Sequence, residues 1–208
     1  MPIRFPKLSD DRPTRLYLIR HGEVVTFDQK SFNGQTDVAL TPQGHAQLVA
    51  VAQQLVGEPI RAVYSSDLAR SMRGGEAIAR LLRIPLKSMP ELREKHFGVW
   101  EGKSVEEVAR LFPTAWAIWC ADPSQSRPEG GESYEDVEKR VIPALESILE
   151  RHAGEEIAIV AHGGVNRVIL ADALAMPRSA LFRIEQRYAA INVIDYFRDR
   201  ILVKRVNG

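Results

Sequence analysis

The sequence predicts a three-layer α/β/α sandwich on a mostly parallel, mixed sheet, and three observations predict it. Compact apolar runs at Arg15–Ile19, Arg61–Tyr64 and Ile157–Ala161 read as strands, the last of the kind buried on both faces. Stretches of helical periodicity separate them, and strands alternating with helices imply parallel pairing under helical layers. Two closing runs, Ala190–Tyr196 and Ile201–Val206, split by Arg198-Asp199-Arg200, read as a hairpin that makes the sheet mixed.

The first strand stops abruptly at Arg20-His21-Gly22, which suits a functional loop at its carboxyl end. Residues 23–40 read as loop, with Asn33-Gly34 as a turn signal. Thr41-Pro42 opens a helix, Thr as cap and Pro in the first turn, with Leu48, Val51, Ala52, Leu55 and Val56 facing the core. After the second strand, Ser65-Ser66-Asp67 offers side-chain caps for a helix running to about Leu82. Gly74 and Gly75 inside it cost about 1 kcal/mol each relative to Ala and have no local explanation. Residues 86–130 form an irregular insertion over the domain edge, holding one or two short helices and a Pro/Ser/Gly-rich connector. From Ser133 a long helix carries Val137, Val141, Leu145, Ile148 and Leu149 on one stripe, and Pro143 predicts a kink or a break. The third strand stops at His162-Gly163-Gly164, and another helix follows from about Val165.

With 208 residues, 45% apolar and 26% charged, the chain fits one globular domain over 15–208. Twenty-eight basic residues against 27 acidic ones leave no large single-sign field, so neither nucleic acid nor a membrane surface is an expected partner. Cys120 is the only cysteine, which excludes an intrachain disulfide and a multi-cysteine metal site; among Trp116, Ile118 and Trp119 it reads as a packed core thiol. Residues 1–14 read as a short, loose leader without a signal peptide, and no apolar run reaches membrane-span length, so a soluble cytoplasmic protein is expected.

Two features repeat: a buried strand ends in His-Gly at His21-Gly22, and again at His162-Gly163. Ligands collect at the carboxyl ends of strands in open α/β sheets, so the two imidazoles are expected to share a site there. The helix after His162 adds free backbone N–H groups and a positive dipole end. Arg20 and Arg70, the latter one turn into the second helix, bring guanidiniums to the same edge, where paired N–H bonds hold a phosphate. Side chains alternate along a strand, so Arg20 and His21 converge only if the chain turns, which glycine at 22 permits. A neutral imidazole can attack phosphorus and form a phosphohistidine, and Glu94 is the candidate to protonate the leaving group.

These residues resemble the histidine phosphatase superfamily, the phosphoglycerate-mutase-like family, over roughly residues 15–175. The matching pieces are LYLIRHGE (16–23), FNGQTDVALTPQG (32–44), VYSSDLARS (63–71), LREKHFGVWEG (92–102), GGES (130–133) and IVAHGGVNR (159–167). The resemblance implies a phosphoglycerate-mutase-like fold in which His21 is the phosphorylated nucleophile. Arg20, Arg70 and His162 complete its phosphate pocket, Gly22 and Gly163 border it, and Glu94 passes the proton. Asn33, Gly34 and Gln35 match the loop that closes over the phosphoryl group. It further implies no metal and no cofactor, and as partner a small phosphate ester, most like that of the α-ribazole phosphatase branch. Oligomeric state is open between monomer and homodimer. The chain departs from the family at Phe27, where many relatives carry Asn, and at Arg73-Gly74, where many read Gln-Thr.

Other polar residues read as structural. Glu23 is expected to hold an arginine or a backbone amide, and Asp37 and Glu101 to brace loops. His45, His96 and His152 read as surface residues, and Trp100, Trp116 and Trp119 as packing. Three alternatives remain: a phosphoglycerate mutase, a non-catalytic phospho-ligand-binding regulator, and a metallohydrolase ligated by His21, His162 and a carboxylate. Against the mutase, Val105–Trp119 supplies only Arg110.

Overall fold

The computed structural model describes residues 12–29 and 31–208. The strands are β1 (Thr14–Arg20), β2 (Ile60–Ser65), β3 (Leu86–Ser88), β4 (Glu156–Ala161), β5 (Ile191–Tyr196) and β6 (Ile201–Arg205). The α-helices are α1 (Pro42–Gln54), α2 (Ala69–Leu82), α3 (Val105–Leu111), α4 (Pro113–Ala121), α5 (Tyr134–Arg151) and α6 (Gly163–Ala173). The six strands lie in the order β3-β2-β4-β1-β5-β6. β3, β2, β4 and β1 pair in parallel, β5 joins β1 antiparallel, and β6 joins β5 antiparallel, so the sheet is mixed as expected.

The pleat divides the core into the two faces of a three-layer sandwich. Leu16 and Leu18 of β1, with Ile157, Ile159 and Ala161 of β4, pack with Val137, Val141, Leu145 and Ile148 of α5 and Val165, Ile169 and Leu170 of α6. The alternate residues, Tyr17, Ile19, Ala158 and Val160, pack with Val51 and Ala52 of α1 and Ile78 of α2. Both central strands are therefore covered on both sides, which is why their sequences run apolar without alternation.

Local chemistry sets the helix ends. The Thr41 hydroxyl accepts from Gly44 N (2.9 Å) to cap α1, and Pro42 occupies the first turn. Ser133 and Asp136 form a reciprocal capping box on α5, which runs unbroken past Pro143. Gly74 and Gly75 now have a reason. A Cβ on Gly74 would stand 2.9 Å from Val160 Cγ1, and one on Gly75 would stand 2.8 Å from Leu86 Cδ1, so α2 lies closer to the sheet than any side chain allows.

Several expectations need correction. The leader was expected to reach residue 14, but Thr14 opens β1 opposite Tyr196 and is buried; residues 1–11 of that leader lie outside the described residues. β3 joins the sheet from within the stretch expected to be irregular, too short to show periodicity. Val56 is 60% exposed, because the helix ends before it. Cys120 is exposed, since α4 turns that face to solvent and packs the partly buried Trp119 on the core instead. His152 is not a surface residue: its Nε2 meets Tyr64 Oη at 2.9 Å and its Nδ1 meets Glu155 Oε2 at 2.7 Å.

Candidate active site

Neighbouring parallel strands deliver the two histidines. β1 and β4 pair with Arg20 opposite Ala161, so the next residues, His21 and His162, emerge side by side. His21 N donates to Ala161 O at 3.0 Å, continuing the ladder one step past the strands. The imidazole centroids lie 5.2 Å apart, tilted by 59°. Both residues are buried, at 5% and 0% exposure.

The ring of His21 is held by one bond, Nδ1 to Gly22 O at 2.7 Å. A carbonyl oxygen only accepts, so Nδ1 carries the proton and Nε2 keeps its lone pair. Burial, reinforced by Arg20 and Arg70, holds the His21 pKa well below the ordinary 6.5. Burial, then Arg70, His21 and Arg20, do the same for His162. Two neutral rings therefore sit in a cationic surround. His162 Nε2 lies 3.3 Å from Ser71 Oγ, while its Nδ1 is buried without a protein partner, as is Arg20 Nε. A buried polar atom left unsatisfied costs about 1–3 kcal/mol, and the Arg20 Nε–H is a donor of that kind available to an anion.

Each arginine is fixed from behind. Arg20 Nη1 donates to Gln186 O (2.6 Å), and its guanidinium lies 4.0 Å over the Tyr188 ring. Arg70, in the first turn of α2 and 2% exposed, donates to Thr36 O (2.8 Å) and Gly34 O (2.5 Å). Those bonds tie the Asn33–Asp37 loop to α2. Glu101 braces the same loop, accepting from Gln35 N, Thr36 N and Thr36 Oγ1 at 2.9, 2.8 and 2.6 Å. Asp37 accepts from Ala69 N (2.9 Å) and so caps α2 from a distance. Of the expected caps, Asp67 is occupied with Arg93, Ser65 Oγ donates to Ser66 O, and Ser66 Oγ reaches only Leu68 N, just before the helix.

Glu94 stands at the mouth of α6. Its Oε2 accepts from Gly164 N (2.9 Å) and its Oε1 from Lys95 N (2.8 Å). Burial lowers the pKa of both Arg20 and Arg70, and the Glu94 charge opposes that shift in each. A Cβ on Gly164 would lie 2.3 Å from Glu94 Oε1, so only glycine lets the carboxylate reach the helix end. Gln35 Nε2 bonds Glu94 O at 3.2 Å, whereas Asn33 Oδ1 accepts from Thr26 Oγ1 at 3.0 Å and is occupied within its own loop. Gly163 faces both the Arg20 and Arg167 guanidiniums, at 3.5 and 3.2 Å from where its Cβ would be.

Three readings change here. Gly22 lacks the positive φ of a glycine turn; it is small because a Cβ would meet Gly44 O at 2.3 Å. α6 begins at Gly163, not Val165, and Glu94 already engages one of its free N–H groups. Glu23 accepts from the Thr41 hydroxyl (2.8 Å), neither an arginine nor an amide. Tyr188, 5.6 Å from the His21 ring, has no local signal in the sequence, whereas Arg167 stands in the first turns of α6 within IVAHGGVNR and was given no role there.

Residues 16–208 match the sequence pattern described as the histidine phosphatase superfamily (branch 1). The chain belongs to that family. The metal-independent phosphoserine phosphatase of Arabidopsis thaliana is 36% identical over 75% of this chain and 67% of its own length. The adenosylcobalamin/alpha-ribazole phosphatase of Salmonella typhimurium is 28% identical over 88% of this chain and 92% of its own. The solved structure of Bacillus stearothermophilus YhfR superposes with a TM-score of 0.87 at 31% identity, covering 94% of this chain and 96% of that one. The chain spans about half, 51%, of the length of the mycobacterial relatives it matches at 31% identity. Among its described residues, no helix is long and apolar enough to cross a membrane.

Proposed function

We propose that this chain hydrolyses small phosphate monoesters through a phosphohistidine on His21, with residues 15–208 acting as one catalytic unit. The observation that carries the reading is the Nδ1 bond to Gly22 O, which leaves an Nε2 lone pair on a neutral ring that stands beside a second neutral imidazole and is kept neutral by burial and by the charges of Arg20 and Arg70. Nε2 attacks phosphorus, the ester P–O bond breaks, and the departing oxygen takes a proton from the Glu94 carboxyl. Glu94 then takes a proton from water as that water's oxygen bonds phosphorus, the P–N bond breaks, and phosphate leaves. Arg20, Arg70 and His162 hold the non-bridging oxygens through both steps. Gly22 and Gly163 give them room, and the Asn33-Gly34-Gln35 loop closes over the phosphoryl group. No metal takes part.

The two phosphatase relatives supply the leading substrates, α-ribazole phosphate and phosphoserine, with α-ribazole phosphate favoured by the motifs around His21. The test is a panel of both, with phosphoglycerates, sugar phosphates and p-nitrophenyl phosphate, run beside His21→Ala. Wild type is expected to turn over at least one member after prolonged EDTA treatment, and His21→Ala none. Near-wild-type rates in His21→Ala, or activity lost to EDTA and restored by Zn²⁺, would refute the mechanism. Rapid conversion of 3-phosphoglycerate to 2-phosphoglycerate in the presence of 2,3-bisphosphoglycerate would make it a mutase instead.

A further inference from the structure

We infer that Lys95 is a positioning residue for Glu94, holding the proton donor in place from a buried aromatic cage. The inference rests on Glu94 being that donor.

Lys95 is wholly buried, among the largest side chains in the protein that are. Its ammonium stands 4.8 Å from the Tyr134 ring centroid, 5.0 Å from Trp119 and 5.2 Å from Phe97, and donates to Ser126 O at 2.8 Å. One cation thus joins the start of α5, the aromatic face of α4 and the connector that carries Ser126. The same residue's N–H donates to Glu94 Oε1 at 2.8 Å. Tyr134 closes the link, because its hydroxyl and Glu94 Oε1 crowd the same point, 3.1 and 2.3 Å from where a Cβ on Gly164 would be. The ammonium and the catalytic carboxylate therefore share Tyr134 as a common wall.

A methionine would fill such a cage without the desolvation cost of burying a charge. Burial pulls the Lys95 pKa down to about 8, opposed by Glu94, Glu132 and Asp136 and assisted by Arg127, with Tyr134 the remaining titratable neighbour. The charge is thus held against the fold's own preference, at the one place where it steadies the backbone carrying Glu94.

The experiment compares phenyl phosphate with p-nitrophenyl phosphate, which share a shape but differ in how much their leaving groups need a proton. The readout is the ratio of their kcat/KM values, which does not depend on how much of a preparation is folded. In Lys95→Met the phenyl-to-nitrophenyl ratio should fall about ten-fold or more, a fraction of what general acid catalysis contributes. The wild-type ratio should slide toward the same value as pH rises through about 8. An unchanged ratio in Lys95→Met, with Glu94→Gln lowering it, overturns this inference alone. An unchanged ratio in Glu94→Gln removes the donor assignment and this inference together.

Discussion

A buried imidazole is a nucleophile only if one nitrogen is tied down and the ring stays neutral, and both conditions bear on His21. Its pKa and that of His162 are depressed, so both rings stay neutral as pH falls through 6.5. Histidine protonation should therefore cut no activity between pH 7 and 6.5, which a pH–rate profile on p-nitrophenyl phosphate checks. The linkage to stability has a definite sign. The unfolded chain takes up these protons first, so folded stability from this pair is present above pH 6.5 and lost as pH falls below it, measurable by denaturant unfolding. Gly164→Ala should displace the Glu94 carboxylate and lower kcat/KM on phenyl phosphate by about 10²-fold, the low end of what a general acid supplies. Arg20, His21, Arg70, His162 and Glu94 were legible because each stands at a strand end, in a first turn or within a short motif. Tyr188 was not, since a ring beneath Arg20 from 168 positions away leaves no local pattern.

At the scale of elements, the helices are placed by caps and by close approach. Ser133→Ala removes the acceptor for Asp136 N and should cost about 1 kcal/mol, read as a lowered denaturation midpoint. Gly74→Ala sets two effects against each other. Helix propensity favours alanine by about 1 kcal/mol, but overpacking against Val160 and Leu48 costs about 1–3 kcal/mol, so a net loss of stability is expected. Periodicity located α1 and α5 because each lays one apolar stripe on the sheet, and the polar Ser65-Ser66-Asp67 run after the second strand located α2. Hydrophobic pattern alone could not show that Asp37 caps α2 from another loop, or that Pro143 would be accommodated within α5.

For the molecule as a whole, the layered fold follows from two continuous apolar strands, β1 and β4, whose alternate residues feed two separate cores. The same pairing sets Arg20 opposite Ala161 and so brings His21 and His162 together, which ties the chemistry to the register of the sheet. The sequence made this visible through the repeated strand-His-Gly pattern. Rapid acid-free quenching during turnover of a ³²P-labelled substrate, followed by peptide mapping, tests the central claim most directly. The account predicts an acid-labile, base-stable label on the peptide containing His21, absent from His21→Ala. Turnover without a labelled intermediate, or a label on any other residue, would contradict it.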